Sequence, residues 1–477
     1  MAPHKSVHFI GIAGLGMSAT AILMKEQGWQ VTGSDEAFYP PASDVLTAAG
    51  IPIRAPHAPS NIPPNVDRFV VGKHAKLTMA NPEVAAAHAR GVPVMSFPDV
   101  LNETLHGRTP WVVAGSYGKS TTSAILAWTL SHAGVDAGYF VGAVPKGMAA
   151  AAHLGTELVF VLEGDEYPAS NEDPRSKFLL YRAHDVLLTS VAHDHVNVFP
   201  TQDDYERPFR QLLERLPDEG LLVYCQDEPF AAQMKDAAPC RVVSYSHTNP
   251  QADYCAVNLQ YGLTSSFDLV HRGNTLGRLQ TQMLGLHNIQ NLVGAAALML
   301  ERKVLTFAQI ADGFAAFPGV KRRMDLLTTR SSIPVYEGFG SSADKARAAI
   351  EAMLLHFPAS KLAVVFEPHT FSWRARAALD WYRTVFRDVS LVAILPPPNH
   401  GQTTDDQLTQ SEIAAVCRKT YGSKLKVITP GLKEWGAAVI TELGPNWTVL
   451  ALSSGSLGGV LPSFTSALDR RFGQGAA

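Results

Sequence analysis

Between residues 113 and 122 the chain reads "VAGSYGKSTT": two glycines, a lysine and a cluster of hydroxyls in ten positions. Glycines in such a loop let backbone N–H groups turn inward toward phosphate oxygens, and a following helix adds the partial positive charge of its first turn. Lys119 would then pair with the β- and γ-phosphates of a nucleotide, and the Ser120 hydroxyl would ligate Mg2+. The spacing Gly115-x-x-Gly118-Lys119-Ser120 is shorter than the common G-x-x-x-x-G-K-[ST], with Val113 where that pattern has its first glycine. An ordinary strand-to-helix turn that happens to contain Gly-Lys-Ser is the competing reading. The strand-like "WVVA" before the loop and the helix-like "STTSAILAWTLSHAG" after it favour a site for ATP.

A second glycine turn, Gly11-x-x-Gly14-x-Gly16, opens a helical pattern near the N-terminus, and Asp35 ends the strand that follows. In a dinucleotide-binding βαβ unit the pyrophosphate rests on the helix N-terminus and the acid reaches a sugar. The spacing is not G-x-G-x-x-G, so a hydride-transfer cofactor is weakly supported, and a tight packing turn fits the same residues.

These residues need a scaffold that alternates strands and helices, and the chain supplies one. "VHFIGIAGLGMSATAILMKEQGWQVTGSD" predicts strand, turn, amphipathic helix and second strand, and "RFVVGKH" and "VPVMSF" continue the unit. "LNETLHGRTP" (101–110) reads as a connector. "WVVAG", "ELVFVLEGD" and "DVLLTSVAHD" then read as strands of a second unit, closed by the helical "HNIQNLVGAAALMLERK". "FPGVKRRMD" (317–325) combines Pro-Gly with a basic cluster and suggests a hinge, about which a third α/β unit built on "KLAVVFEP", "SLVAILPPP" and "WTVLALSSGS" would swing closed over ATP.

Composition narrows the classes. At 477 residues the chain exceeds one compact core, and about three domains are expected. A net charge of −3 offers no general polyanion surface, so nucleic acid is excluded as a first partner. No apolar run approaches the ~20 residues of a membrane span, and no hydrophobic leader precedes the first strand. Cys225, Cys240, Cys255 and Cys417 are too few and too scattered for a disulfide framework or a CxxC metal site. A cytoplasmic protein is expected.

Two nucleotide-type units in series, the second with a G-x-x-G-K-[ST]-T loop, resemble the Mur ligases, which build the peptide of the bacterial cell-wall precursor on UDP-N-acetylmuramic acid. The likeness spans nearly the whole chain. It includes "HFIGIAGLGMSA", "GSDEAFYPP" and "NPEVAAAHARGVPV", then the phosphate loop, "EGDEY", "AHDHVNVF", "GLHNIQN" and "GVKRR". It implies three α/β domains: a Rossmann-like UDP-sugar-binding domain (1–107), a central P-loop ATPase-like parallel-sheet domain (108–320) and a Rossmann-like domain for the amine or peptide (321–477). It also implies ATP-dependent amide formation through an acyl phosphate on the sugar's carboxylate, in peptidoglycan biosynthesis or recycling, with ATP and Mg2+ required. "DPRSKFLLYR" and "SSGSLGGV" look more like members that add a recycled peptide, L-alanyl-γ-D-glutamyl-meso-diaminopimelate, and "FEPHTFS" more like members that add L-alanine. A monomer or weak homodimer is implied.

Residue by residue, the resemblance places Gly115, Gly118, Lys119, Ser120, Thr121, Asn288, Asn291 and Arg323 on ATP. It gives Lys119, Glu163, His195 and Arg323 the catalytic roles, and Ser120, Glu163 and His195 the metal. Gly14, Gly16, Ser34, Asp35 and His57 would hold UDP, with Asn61 beside them. Each has a plainer alternative. Most of the 17 histidines must be structural or solvated, and His195 stands out through Asp194 and the strand-like run before it. Asp165 and Glu166 could support the metal or be solvated loop acids. Asn288 and Asn291 could be helix-surface amides, and Arg323 a solvated basic turn.

The chain also departs from the family. "YEGFGSSADK" stands where members that add L-alanine or the recycled peptide carry Asp-Asp-aromatic-small-His-His-Pro, so Glu337-Gly338 replaces two acids and Ser341-Ser342 two histidines. Glu337 and Asp344 could compensate. Tyr117 replaces a histidine in the phosphate loop, and Thr370 an arginine that Arg374 or Arg376 could supply. A ligase with another acceptor, a nucleotide-binding module without turnover and, on the first glycine turn alone, a dehydrogenase are the other classes.

Overall fold

A computed structural model describes residues 5–39, 42–195, 198–398 and 407–473. Pro40 and Pro41 of "GSDEAFYPP", and Val196 and Asn197 of "AHDHVNVF", lie outside the described residues.

The N-terminal sheet contains β1 (Ser6–Ile10), β2 (Gln30–Ser34), β3 (Ile53–Arg54), β4 (Arg68–Val71) and β5 (Val94–Met95), in the order β3-β2-β1-β4-β5. All its pairings are parallel. Helices on both faces explain why Phe9, Ile10, Phe69 and Val70 are all fully buried without polar alternation. The predicted connector at 101–110 is a correction: helix Phe97–Thr104 runs into it, and β6 (Thr109–Ala114) begins before it ends. Ser96 and Asp99 close a capping box at that helix, and Val100, Leu101 and Leu105 are buried, so local capping and burial override the polar look of the segment.

Further along, β7 (Gly138–Phe140), β8 (Ala152–His153), β9 (Val159–Gly164), β10 (Asp185–Leu188), β11 (Leu221–Cys225), β12 (Arg241–Ser246), β13 (Tyr254–Gln260), β14 (Ser265–His271) and β15 (Asn274–Thr281) follow. With β6 they form a ten-stranded sheet in the order β15-β14-β13-β12-β11-β10-β6-β9-β7-β8. β6 pairs in parallel with β10 on one side and β9 on the other. The order of strands reverses about β6, and the carboxyl ends of three adjacent parallel strands come together there, the usual ligand position in such sheets.

β16 (Asp325–Leu326), β17 (Val335–Gly338), β18 (Lys361–Phe366), β19 (Leu391–Ile394), β20 (Lys426–Ile428) and β21 (Trp447–Leu452) make the third sheet, ordered β16-β17-β21-β18-β19-β20. Only its β16 edge is antiparallel.

The chain divides into two compact units, one ending at Pro318 and the other resuming at Gly319, inside the expected hinge. The first holds the N-terminal sheet and nearly all of the central one; the second holds the third sheet with Gln260–Ser265 and Gln282–His287. Within the first unit, polar ties join its two sheets. The Leu154 N–H donates to Glu26 Oε2 (2.6 Å), Asn171 Nδ2 to the His74 carbonyl (3.0 Å), and Lys73 Nζ to the Pro168 carbonyl (3.3 Å). Among the described residues no helix is long and apolar enough to cross a membrane.

Candidate active site

The phosphate loop leaves β6 at Ala114 and enters helix Lys119–His132, with Gly118 as the N-cap at φ +81°. Only glycine holds that backbone without strain, and a Cβ there would lie 2.6 Å from Asn291 Oδ1. Gly115 is tighter still: a Cβ would meet Thr189 Oγ1 at 2.1 Å, just beyond the end of β10. The loop is tied to that neighbour by the Ser116 N–H donating to the Ser190 carbonyl (3.0 Å) and the Tyr117 N–H to Ser190 Oγ (3.0 Å). Its shape is therefore set by two adjacent strand ends.

Lys119 Nζ donates to Glu166 Oε2 at 2.8 Å and to the Gly115 carbonyl at 2.5 Å. Glu166 is the centre of the site. Its side chain is 1% exposed; Oε1 lies 3.2 Å from His195 Nε2 and accepts from Tyr205 Oη at 3.2 Å. Burial alone would raise its carboxyl, but the Lys119 ammonium and hydrogen bonds from His195 and Lys119 hold it down at about 2. Burial opposes the charge on Lys119 as well, and Glu166, with Asp165 and Glu163 behind it, overrides that and raises it. A buried charge of this kind persists only when paired. Lys119 thus stays cationic where phosphate would be bound.

Glu163, on β9, accepts from Ser120 Oγ (2.8 Å) through Oε1 and from the Gly142 N–H (2.6 Å) through Oε2. A Cβ on Gly142 would stand 2.6 Å from both carboxylate oxygens, so that glycine makes room for the acid. His195 follows β10 in left-handed backbone (φ +57°), and Tyr167 Oη lies 3.0 Å from its Nδ1. Lys119, Ser120, Glu163 and His195 are therefore brought to one place, with Glu166 as the link between Lys119 and His195. Asp165 turns the other way and pairs with Lys177 at 2.5 Å.

Among the described residues no three His, Cys, Asp or Glu side chains converge to hold an ion by themselves. The hydroxyl–carboxylate pair of Ser120 and Glu163 nevertheless suits Mg2+, which takes one or two carboxylates and completes its shell with phosphate oxygens and water. Thr121 is buried in the first helical turn. Asn288 and Asn291 are not surface amides: both are buried, Asn291 Nδ2 donates to Asn288 Oδ1 (3.3 Å), and Asn291 abuts Gly118.

In the first sheet, Gly14 is the N-cap of helix Leu15–Glu26. Asp35 Oδ2 accepts from the Ala13 N–H at 2.8 Å, which fixes the acid against the glycine turn. Gly16 has a packing role, because a Cβ would press to 2.9 Å on the Phe97 ring. Ser34 Oγ lies 3.0 Å from His57 Nδ1, and Asn61 Nδ2 donates to the Pro56 carbonyl at 2.9 Å. Arg323 belongs to the second unit, where its guanidinium lies over the Phe339 ring at 5.9 Å.

Sequence reading underrated Glu166, which is adjacent to Asp165 and indistinguishable from it by composition. It missed His8 and Glu83, a fully buried pair at 2.9 Å separated by 75 positions in the chain. The "NPE" turn was the available signal, since Asn81 caps helix Pro82–Ala89 and Glu83 looks like an ordinary first-turn acid.

The chain is similar to known proteins along most of its length. Residues 6–109 match the model described as the Mur ligase family, catalytic domain, and residues 113–299 that of the Mur ligase middle domain. A UDP-N-acetylmuramate–L-alanine ligase from Geobacter sp. (strain M21) is 30% identical over 87% of each chain. The solved UDP-N-acetylmuramate-alanine ligase of Thermotoga maritima superposes with a TM-score of 0.78 at 20% identity, covering 98% of this chain and 99% of that one. A murein peptide ligase from Psychrobacter arcticus 273-4 gives 0.69 at 23% identity, covering 97% and 98%. These two structures share the three-domain α/β architecture.

Proposed function

This chain belongs to the Mur ligase family, whose members form amide bonds at the expense of ATP, and we propose that it joins an amine to the lactyl carboxylate of UDP-N-acetylmuramic acid. The observation that supports this reading most is the Lys119–Glu166–His195 chain beside the Ser120–Glu163 pair, at the ends of three adjacent strands. A carboxylate is a poor acyl donor toward an amine. Transfer of the ATP γ-phosphoryl to it supplies a leaving group, and the amine then displaces phosphate.

Both steps concentrate negative charge, so the protein's share is cationic stabilisation and positioning. Lys119, kept charged by Glu166, would meet the transferring phosphoryl group. Ser120, Glu163 and His195 would hold Mg2+, which when bound with ATP neutralises phosphate charge. Asn288 and Asn291 would face the adenine side, and Arg323 would reach the phosphates. UDP would lie on residues 1–107, ATP on 108–320 and the amine on 321–477, all in the cytoplasm.

The amine we propose first is a recycled peptide, L-alanyl-γ-D-glutamyl-meso-diaminopimelate. L-Alanine is the second reading, favoured by the names of the relatives most similar in sequence. A panel of amines from L-alanine to the tripeptide, each scored for UDP-N-acetylmuramate-dependent ADP release, decides between them. A blank panel would defeat both.

A further inference from the structure

Glu83 is completely buried, and both of its carboxylate oxygens are used. Oε1 lies 2.9 Å from His8 Nε2, and His8 Nδ1 lies 2.8 Å from Thr32 Oγ1, so that ring is fully engaged. Oε2 accepts from the Ala58 N–H (2.9 Å) and from Asn61 Nδ2 (3.5 Å), and it lies 3.3 Å from His57 Nδ1. Ser34 Oγ lies 3.0 Å from the same nitrogen. Burial opposes a charge here, yet hydrogen bonds from His8, Ser34 and the Ala58 N–H hold the carboxyl below its ordinary range, so it is an ionised group that can only accept.

With the single proton of Ser34 Oγ directed at Glu83, both neighbours of Nδ1 present acceptors, which places the ring proton on Nδ1 and leaves Nε2 of a neutral ring with a lone pair. Among the described residues Nε2 of His57 makes no hydrogen bond within the protein. Its place in the fold says what it would meet. With the glycine turn after β1 as the phosphate position and Asp35 just beyond β2, the base of a bound nucleotide would lie farther out, toward the loop after β3 that carries His57. An acceptor there pairs with an imide N–H, which uracil has at N3, whereas cytosine presents a lone pair at N3.

We propose that Glu83 is a positioning residue that fixes the tautomer of His57, and that this tautomer selects uracil over cytosine. The inference rests on the reading of the first sheet as the UDP site.

The test is calorimetric titration of the full chain with UDP and with CDP. The wild type is expected to bind UDP at least about tenfold more tightly, the worth of one well-placed hydrogen bond against a repelled one. In Glu83→Gln the side-chain amide can donate to Nδ1 and release the tautomer, and the UDP/CDP ratio should fall to within about threefold. His57→Phe should give the same loss of ratio without disturbing the buried acid, which covers the case in which Glu83→Gln does not fold. A merely structural role for Glu83 would weaken both nucleotides together and leave the ratio intact. Equal binding of UDP and CDP by the wild type, or an unchanged ratio in the folded variants, would overturn the inference alone. A wild type that binds neither nucleotide would overturn the UDP reading along with it.

Discussion

The central and third sheets each present three adjacent parallel strand ends, β10-β6-β9 in one and β17-β21-β18 in the other, and furnish them differently. At the central edge a lysine, two glutamates, a histidine and a hydroxyl converge: Glu166 meets Lys119 at 2.8 Å and His195 at 3.2 Å, and Glu163 accepts from the Ser120 hydroxyl at 2.8 Å. At the third edge the buried Glu367 accepts from Ser453 Oγ (2.5 Å) and the Leu457 N–H (3.1 Å), while Glu337 pairs with Arg322 at 3.0 Å. Gly338, which the resemblance sets against an acid of the family, leaves no room for a side chain: a Cβ there would lie 2.8 Å from Leu452 Cδ2. Ser342, which the resemblance sets against a histidine of the family, caps helix Ala343–His356 by accepting from the Lys345 N–H. Arg374 is buried against the Pro398 carbonyl and Gln407, and Arg376 pairs with Glu412. The difference is that the edge proposed for phosphoryl transfer gathers charged side chains, whereas the edge proposed for the amine is occupied by packing and capping contacts.

The sharpest way to break this contrast is Lys119→Ala. It should lower ADP release by roughly a thousandfold or more, as loss of a phosphate-stabilising cation does. UDP-sugar affinity should change less than about twofold, because the sites proposed for the two nucleotides lie on separate sheets. Near-normal turnover would remove the phosphate loop from the chemistry.

Glu166→Gln comes next. It leaves the Lys119 charge without its partner, so turnover should fall roughly a hundredfold and unfolding free energy by about 3 kcal/mol. Its pH signature has a definite sign. The folded-state value of Glu166 is about 2 against 4.5 ordinarily, so the carboxylate's stabilisation is complete above about pH 4.5 and is lost as pH falls toward 2. Denaturation across that window should show this step in the wild type, and the glutamine variant should lack it. Matching slopes would contradict the pairing.

His195→Ala probes the same edge more gently, and the Mg2+ concentration for half-maximal rate should rise severalfold. An unchanged metal titration would take His195 out of the ion's surroundings.

At the third edge, Glu337→Gln should raise KM for the amine about fivefold while KM for ATP and the UDP-sugar stays put, since the edge is assigned to the acceptor. Smallest is Gly338→Asp, which introduces the acid that the resemblance leads one to expect. Crowding of Leu452 should cost about 1–3 kcal/mol on thermal unfolding. A neutral outcome would mean that this edge has room for the acid.

The strand–turn–helix units could be read directly, because buried parallel strands and glycine turns mark the chain locally. The phosphate loop and its lysine were legible for the same reason. Glu166 was not: three acids follow one another within four positions after Leu162, and only the course of the chain beyond β9 decides which turns inward. Gly16, expected beside UDP, also leaves room for the Phe97 ring, a packing demand that its sequence context did not reveal because close approach to a ring and to a phosphate call for the same residue. The helix at 97–104 was hidden because its cap lies upstream of the polar stretch.

The ties between the first two sheets have a further consequence. Glu26 on Leu154, Asn171 on His74 and Lys73 on Pro168 hold the glycine turn and the phosphate loop in one compact body. On the proposed reading that body would act as a ruler: a UDP-sugar would be activated only if the distance from its diphosphate to its acid matched the span between the two turns, so selection of the sugar would be by length before any group on the sugar ring is inspected.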